Sequence, residues 1–130
     1  MTPGEYEAHL RAYLLALAAG DGDGVARRLS EAVVWHVGGS HSLSGRHEGR
    51  ERVVQMLATF KERSGGTVRV LLGSVMLNAE LAVVPVQFSA DRAGRSLSGS
   101  GLDVFRLGPS GIEEVWLFSF DQGAEDTFWE

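Results

Sequence analysis

Apolar residues at Tyr6, Leu10, Tyr13, Leu14 and Leu17 recur at three- and four-residue spacing. That is the period of one helix face, so the chain is expected to open with an amphipathic helix. Thr2-Pro3-Gly4-Glu5 supplies its start: a threonine able to cap, a proline suited to the first helical position and a glutamate completing a capping box. Gly20 provides the left-handed residue that ends it. Asp21 or Asp23 then caps a short second helix, with Val25 and Leu29 inward and Arg27 and Arg28 outward. Val33 to Val37 is β-branched and aromatic, a first short strand that Gly38-Gly39 breaks at once. After a polar Ser/His/Gly segment, Val53, Val54, Leu57 and Phe60 describe a third helix stopping at Gly65-Gly66.

From Thr67 onward the pattern becomes long strands: Thr67 to Leu77, Leu81 to Ala90, Arg95 to Leu107 and Ile112 to Phe120. The separators Asn78-Ala79-Glu80, Asp91-Arg92-Ala93-Gly94 and Gly108-Pro109-Ser110-Gly111 are short and turn-like, which predicts an antiparallel meander. Pro85 has no N–H for a ladder, so a bulge or a sheet edge is expected beside it. Three N-terminal helices on one face of a strongly curved antiparallel sheet give an α+β domain over residues 1–130, with one pocket between the layers.

Composition narrows the chemistry. At 130 residues the chain is the size of one domain, and a net charge of -5 argues against nucleic acid or an anionic membrane as partner. With no cysteine there are no disulfides, no thiolate nucleophile and no thiolate metal site, a usage that fits a reducing cytoplasm. The N-terminus shows no secretory signal, and the longest apolar run, near Leu14 to Ala19, is too short to cross a bilayer.

Several segments taken together resemble the NTF2-like superfamily, in particular its SnoaL-like polyketide cyclase and ketosteroid isomerase members. They are Ala12 to Asp21, Trp35-His36-Val37-Gly38-Gly39-Ser40 with Ser44-Gly45, and Gly49-Arg50-Glu51 before a helix. The ending matches too, in Asp103 to Leu107, Gly111 to Trp116, Asp121 and Phe128-Trp129. The resemblance implies a cone-shaped α+β fold, a homodimer, and a pocket for an apolar small molecule worked on without a cofactor or metal. The fold hosts isomerases, cyclases, epoxide hydrolases, dehydratases and plain binding proteins, so it specifies the reaction poorly.

Residue by residue, the resemblance places Tyr13 and Asp103 on the two oxyanion-donor positions of ketosteroid isomerase. It places His36 where that enzyme carries an aspartate base, and Asp121 on the acid position of the SnoaL-like cyclases, although Asp121 fits a helix cap for the tail equally well. Removing a proton beside a carbonyl needs a base near neutral pKa and donors aimed at the oxygen that becomes negative. Trp35, Phe60, Phe105, Trp116 and Phe118 are the aromatic residues expected to bind substrate. A non-catalytic module that holds a ligand, or that uses its sheet only to dimerise, fits the same residues. For Tyr13 and His36 ordinary packing weighs about equally against a site role, while Asp103 interrupts an apolar strand and is the sharper signal. Alternation puts His36 and Trp35 on opposite faces, so one of them must face away from any cavity. His36, His41 and His47 have neither helical nor tight-turn metal spacing. Phe118, where epoxide hydrolases of this fold carry an acid, argues against that chemistry.

Overall fold

A computed structural model describes residues 1–130. Helix α1 (Pro3–Ala18) starts with the anticipated capping box: the Glu5 amide donates to the Thr2 hydroxyl at 3.2 Å, and the Thr2 amide to the Glu5 carboxylate at 2.9 Å. Gly20 takes a φ of 69° after it. Of the two candidate caps it is Asp21 that starts α2 (Gly22–Arg28), accepting from the Gly24 amide at 2.9 Å. Strand β1 (Leu29–Val37) follows without a break, so Leu29 faces the core from a strand. It forms a hairpin with β2 (Gly45–Glu48), which returns the chain to α3 (Arg50–Arg63). The four polar residues of β2 show no alternation; they are a strand because β1 offers them an open edge.

The remaining strands are β3 (Arg69–Leu72), β4 (Met76–Asn78), β5 (Leu81–Arg92), β6 (Arg95–Gly108) and β7 (Gly111–Ser119), in a seven-stranded sheet of order β2-β1-β7-β6-β5-β3, with β4 also on β5. Two expectations need correction. First, the predicted strand from Thr67 to Leu77 is two strands. The Pro85 carbonyl accepts from the Gly73 amide at 2.7 Å, so the backbone edge of Pro85 faces that neighbour, and its missing N–H leaves nothing to continue the ladder. The irregularity Pro85 demanded lies in the partner strand. Second, the sheet is mixed, because β1 pairs β7 in parallel. Short turns dictate direction only between consecutive strands, and β1 and β7 are far apart in the chain.

The tail folds as well, adding a fourth helix, α4 (Gln122–Trp129), to the three expected. Arg92 and Arg95 anchor its end by donating to the carbonyls of Phe128, Glu130 and Thr127, and Phe128 and Trp129 bury themselves against Ala90 and Leu97. The main core lies between the helices and one face of the sheet, with Leu10, Tyr13, Val33, Val53, Val84 and Phe105 at its centre. No helix is long and apolar enough to cross a membrane.

Candidate functional site

Register sorts the candidate residues into two groups. On the helix-covered face, Asp103 of β6 pairs with Val84 on one side and Leu117 on the other, and Phe105 with Ala82 and Val115. Trp35 of β1 pairs with Val115, and it is buried with Val33 and Val37 on the same side. Tyr13 reaches this face from α1. Its ring lies 5.6 Å from that of Phe105, edge-on, and 6.3 Å from that of Trp35. Tyr13, Trp35, Asp103 and Phe105 therefore form one interior cluster.

Its electrostatics differ from those of an ordinary core. Burial pushes the Asp103 carboxyl up to about 7, and the negative charge of Glu125 adds to that effect. Such a group holds its proton for much of its time at neutral pH, and a protonated carboxyl is a hydrogen-bond donor. The Tyr13 hydroxyl is raised well above its ordinary value, by burial first and by Asp103 second, and so remains a donor throughout. The Trp35 indole N–H is buried with no partner at all. Buried donors are seldom left unpaired, since each orphan costs roughly 1–3 kcal/mol. Three donors thus stand in one apolar region that offers them no fixed acceptor.

His36 is not among them. It alternates with Trp35 and projects from the opposite face, where its Nε2 lies 2.6 Å from Glu114 and its ring stacks on Trp116 with centroids 5.4 Å apart. That hydrogen bond leads in holding the Glu114 carboxyl below its usual range. Arg106 binds Glu113 and Glu114 at 2.5 and 3.2 Å, closing a surface ion network. Trp116 and Phe118 also lie on this outer face, beside an open groove of about 480 Å³ lined in part by His36, Arg46 and Gln122. The imidazole expected to join Tyr13 and Asp103 therefore sits across the sheet from them, and two of the aromatics expected to bind substrate sit there with it. The parity of β1 allowed only one of Trp35 and His36 to point inward, and the apolar ring is the one that did.

Asp121 is engaged elsewhere as well. It is exposed, and its carboxylate caps α4 by accepting from the Ala124 amide at 3.1 Å. Phe60 lies where α3 meets α4, its ring 4.8 Å from Trp129 and 6.2 Å from His41. His41 and His47 both serve the β1–β2 loop: His41 Nδ1 accepts from the Leu43 amide and His47 Nε2, from β2, donates to the Leu43 carbonyl. Burial lowers the His41 pKa, consistent with a neutral ring.

One residue escaped notice in the sequence. Glu125 of α4 is half-buried, its pKa is raised by burial, and its charge is felt at Asp103. With Asp121 as the cap of a tail helix, the four-residue spacing to Trp129 sets Glu125 on the inward side of that helix.

Known proteins match this chain along most of its length. The uncharacterized protein Rv0034 of Mycobacterium tuberculosis is 28% identical over 121 residues, 92% of each chain. A protein of unknown function with a cystatin-like fold from Xanthomonas campestris is 33% identical, with a TM-score of 0.91 over 95% of this chain and 97% of that one. Bal32a, from a soil-derived mobile gene cassette, superposes with a TM-score of 0.92 at 23% identity over 98% of both chains. The same fold recurs in a Jannaschia protein assigned as a SnoaL-like polyketide cyclase (15% identical, TM-score 0.75, 98% and 95% of the two chains) and in an epoxide hydrolase of Mycobacterium tuberculosis (16%, 0.71, 96% and 90%). At such identities the likeness shows the fold alone. The SnoaL-like domain, in contrast, is matched in sequence over residues 10–111, from the middle of α1 to the first residue of β7, and it is to this family that the chain belongs.

Proposed function

We propose that the helix-covered face binds an apolar small molecule through an oxygen atom, and that the protein is a cofactor-free isomerase or cyclase moving a proton on a ketone or polyketide-like substrate. The observation that carries this reading is the Asp103 carboxyl, lifted to about 7 beside the Tyr13 hydroxyl. Two donors in an apolar setting favour an oxygen that gains negative charge, because a low dielectric strengthens their hydrogen bonds and no water competes. The orphaned Trp35 N–H supplies a third. A planar phenol is the natural probe, its oxygen standing in for the enolate oxygen of a reacting ketone. Titration with 2-naphthol, followed by its fluorescence, is expected to saturate with the native chain. Affinity should fall at least tenfold with Asp103→Leu, which removes the donor and keeps the bulk. Equal affinities would take Asp103 out of the site.

A second reading concerns the outer face, which we assign to a second copy of this chain. Leu102 and Phe118 pair across β6 and β7 and are 38% and 56% exposed, with Pro85 completing the row on β5. Val83, Val104 and Trp116 form the next row, and the Arg106 network borders them. An apolar strip edged by both signs of charge suits pairing with itself about a two-fold axis. Sedimentation velocity at micromolar concentration is expected to find a dimer, and Phe118→Asp a monomer with an unchanged melting temperature. A native chain sedimenting as a monomer would refute it.

A further inference from the structure

We propose that Glu125 is the base of the interior site, accepting the substrate's proton and returning it while Asp103 and Tyr13 hold the oxygen. This rests on the reading of the helix-covered face given above, and it fills the role that His36, on the outer face, is not placed to take.

Position comes first. Helix α4 is held at its middle and its end: the Asp126 carboxylate accepts from the Ser40 amide and hydroxyl, both at 3.1 Å, and Arg92 and Arg95 hold the last carbonyls. Glu125 precedes Trp129 by four residues and so shares its side of the helix, which is the side buried against Phe60 and the sheet. Ser119, on the same row of β7 as Val115 and Leu117, lies close enough to the Glu125 carboxylate to favour its charged form. Directly across from Ser119 stands Gly101, and two residues further along β6 is Asp103. A glycine at that point leaves bare backbone between the two acids.

Neither acid has a counter-ion, since no ion pair in the structure includes Asp103 or Glu125. A half-buried carboxylate without a cation is costly to keep for packing alone. Burial raises both groups, and the charge on Glu125 raises Asp103 further, so the larger shift falls on the deeper acid. The unpaired Trp35 N–H is independent of both carboxyls and also calls for an acceptor from outside the chain. Glu125 lies beyond the residues matched by the family's sequence.

The step balances without a co-reactant. The C–H bond next to the carbonyl breaks and its proton passes to a Glu125 oxygen. The electron pair forms a carbon–carbon double bond while the carbonyl pair moves onto oxygen, between Tyr13 and Asp103. Returning the proton to the same carbon restores the ketone, and returning it to a conjugated carbon isomerises it.

Hydrogen–deuterium exchange of α-tetralone in D₂O, followed by proton NMR with the full-length chain, tests the proposal. The native chain should accelerate exchange at the carbon next to the carbonyl. Glu125→Gln should lose at least about 100-fold of that acceleration, as expected for removal of a general base, and Glu125→Asp should recover part of it. A 2-naphthol affinity within about threefold of the native value would confirm that the Gln variant is folded and its donors intact. Exchange at the native rate in Glu125→Gln would overturn the role of Glu125 and leave the binding site standing. Naphthol bound with no protein-dependent exchange would likewise remove the base, whereas no naphthol binding by the native chain would overturn the underlying reading.

Discussion

Replacing Asp103 by Asn is expected to stabilise the protein above neutral pH and to leave it unchanged near pH 4. In the unfolded chain this carboxyl ionises near 3.8, and in the folded chain near 7. Below the lower value both states carry the proton, and burial of the acid costs nothing extra. As pH rises through the interval the unfolded state releases its proton first, so stability falls with pH until the folded state releases its own; above 7 the loss is complete. Each tenfold change in proton affinity is worth about 1.4 kcal/mol, so the full loss is on the order of 4 kcal/mol. Asn has nearly the same shape and cannot ionise, so it escapes the loss. For a chain of this size the gain corresponds to a rise in melting temperature on the order of 10 °C. Thermal melts of both chains from pH 4 to pH 8 provide the check, and the difference between them matters more than either curve. Acids held below their usual range, such as Glu114 and Asp126, weaken both chains alike at low pH and cancel. Curves that coincide throughout would place the Asp103 side chain in water.

That an acid with this cost persists in the strand bears on how the sequence can be read. Local rules gave the ends of elements well, because their causes are local: Thr2 and Glu5 close the capping box, Gly20 takes the left-handed turn, and Asp21 finds the Gly24 amide three residues on. The existence of the long strands was equally plain from their apolar content. Relations between distant segments were not. Nothing in Gly45–Glu48 announces a strand, since its pairing comes from β1, and nothing in β1 or β7 fixes their parallel direction. The candidate site divides along the same line. Asp103 is visible as an acid out of place in an apolar strand, whereas a catalytic role for His36 or Asp121 rests on resemblance of position, and Asp121 reads equally well as a cap. One faces the outer surface and the other caps a helix, because a one-residue change of parity or a helix start decides the matter. Glu125 went unseen because its burial depends on α4 packing, which no local pattern near residue 125 reveals.

Phe105→Ala is expected to carry the largest loss of stability of any change near the site, and to show that the cost of Asp103 and the dryness of the core are one property. Phe105 is fully buried, edge-on to Tyr13, and paired in register with Ala82 and Val115. Ala82 is too small to close the gap left by a lost ring, and Val115 is stiff at its branched carbon. Truncation should therefore cost about 3–5 kcal/mol in denaturant unfolding at pH 7, against about 1 kcal/mol for Phe105→Leu. The space opens beneath Tyr13, two residues along the strand from Asp103, where polar groups can hold water. Water there solvates the ionised carboxylate and lowers its pKa toward the ordinary value. The stabilisation gained from Asp103→Asn at pH 8 should consequently shrink by half or more in the Phe105→Ala background, a non-additivity read directly from a double-mutant cycle. Full additivity would mean that the ring contributes packing alone, and that another part of the core keeps Asp103 dry.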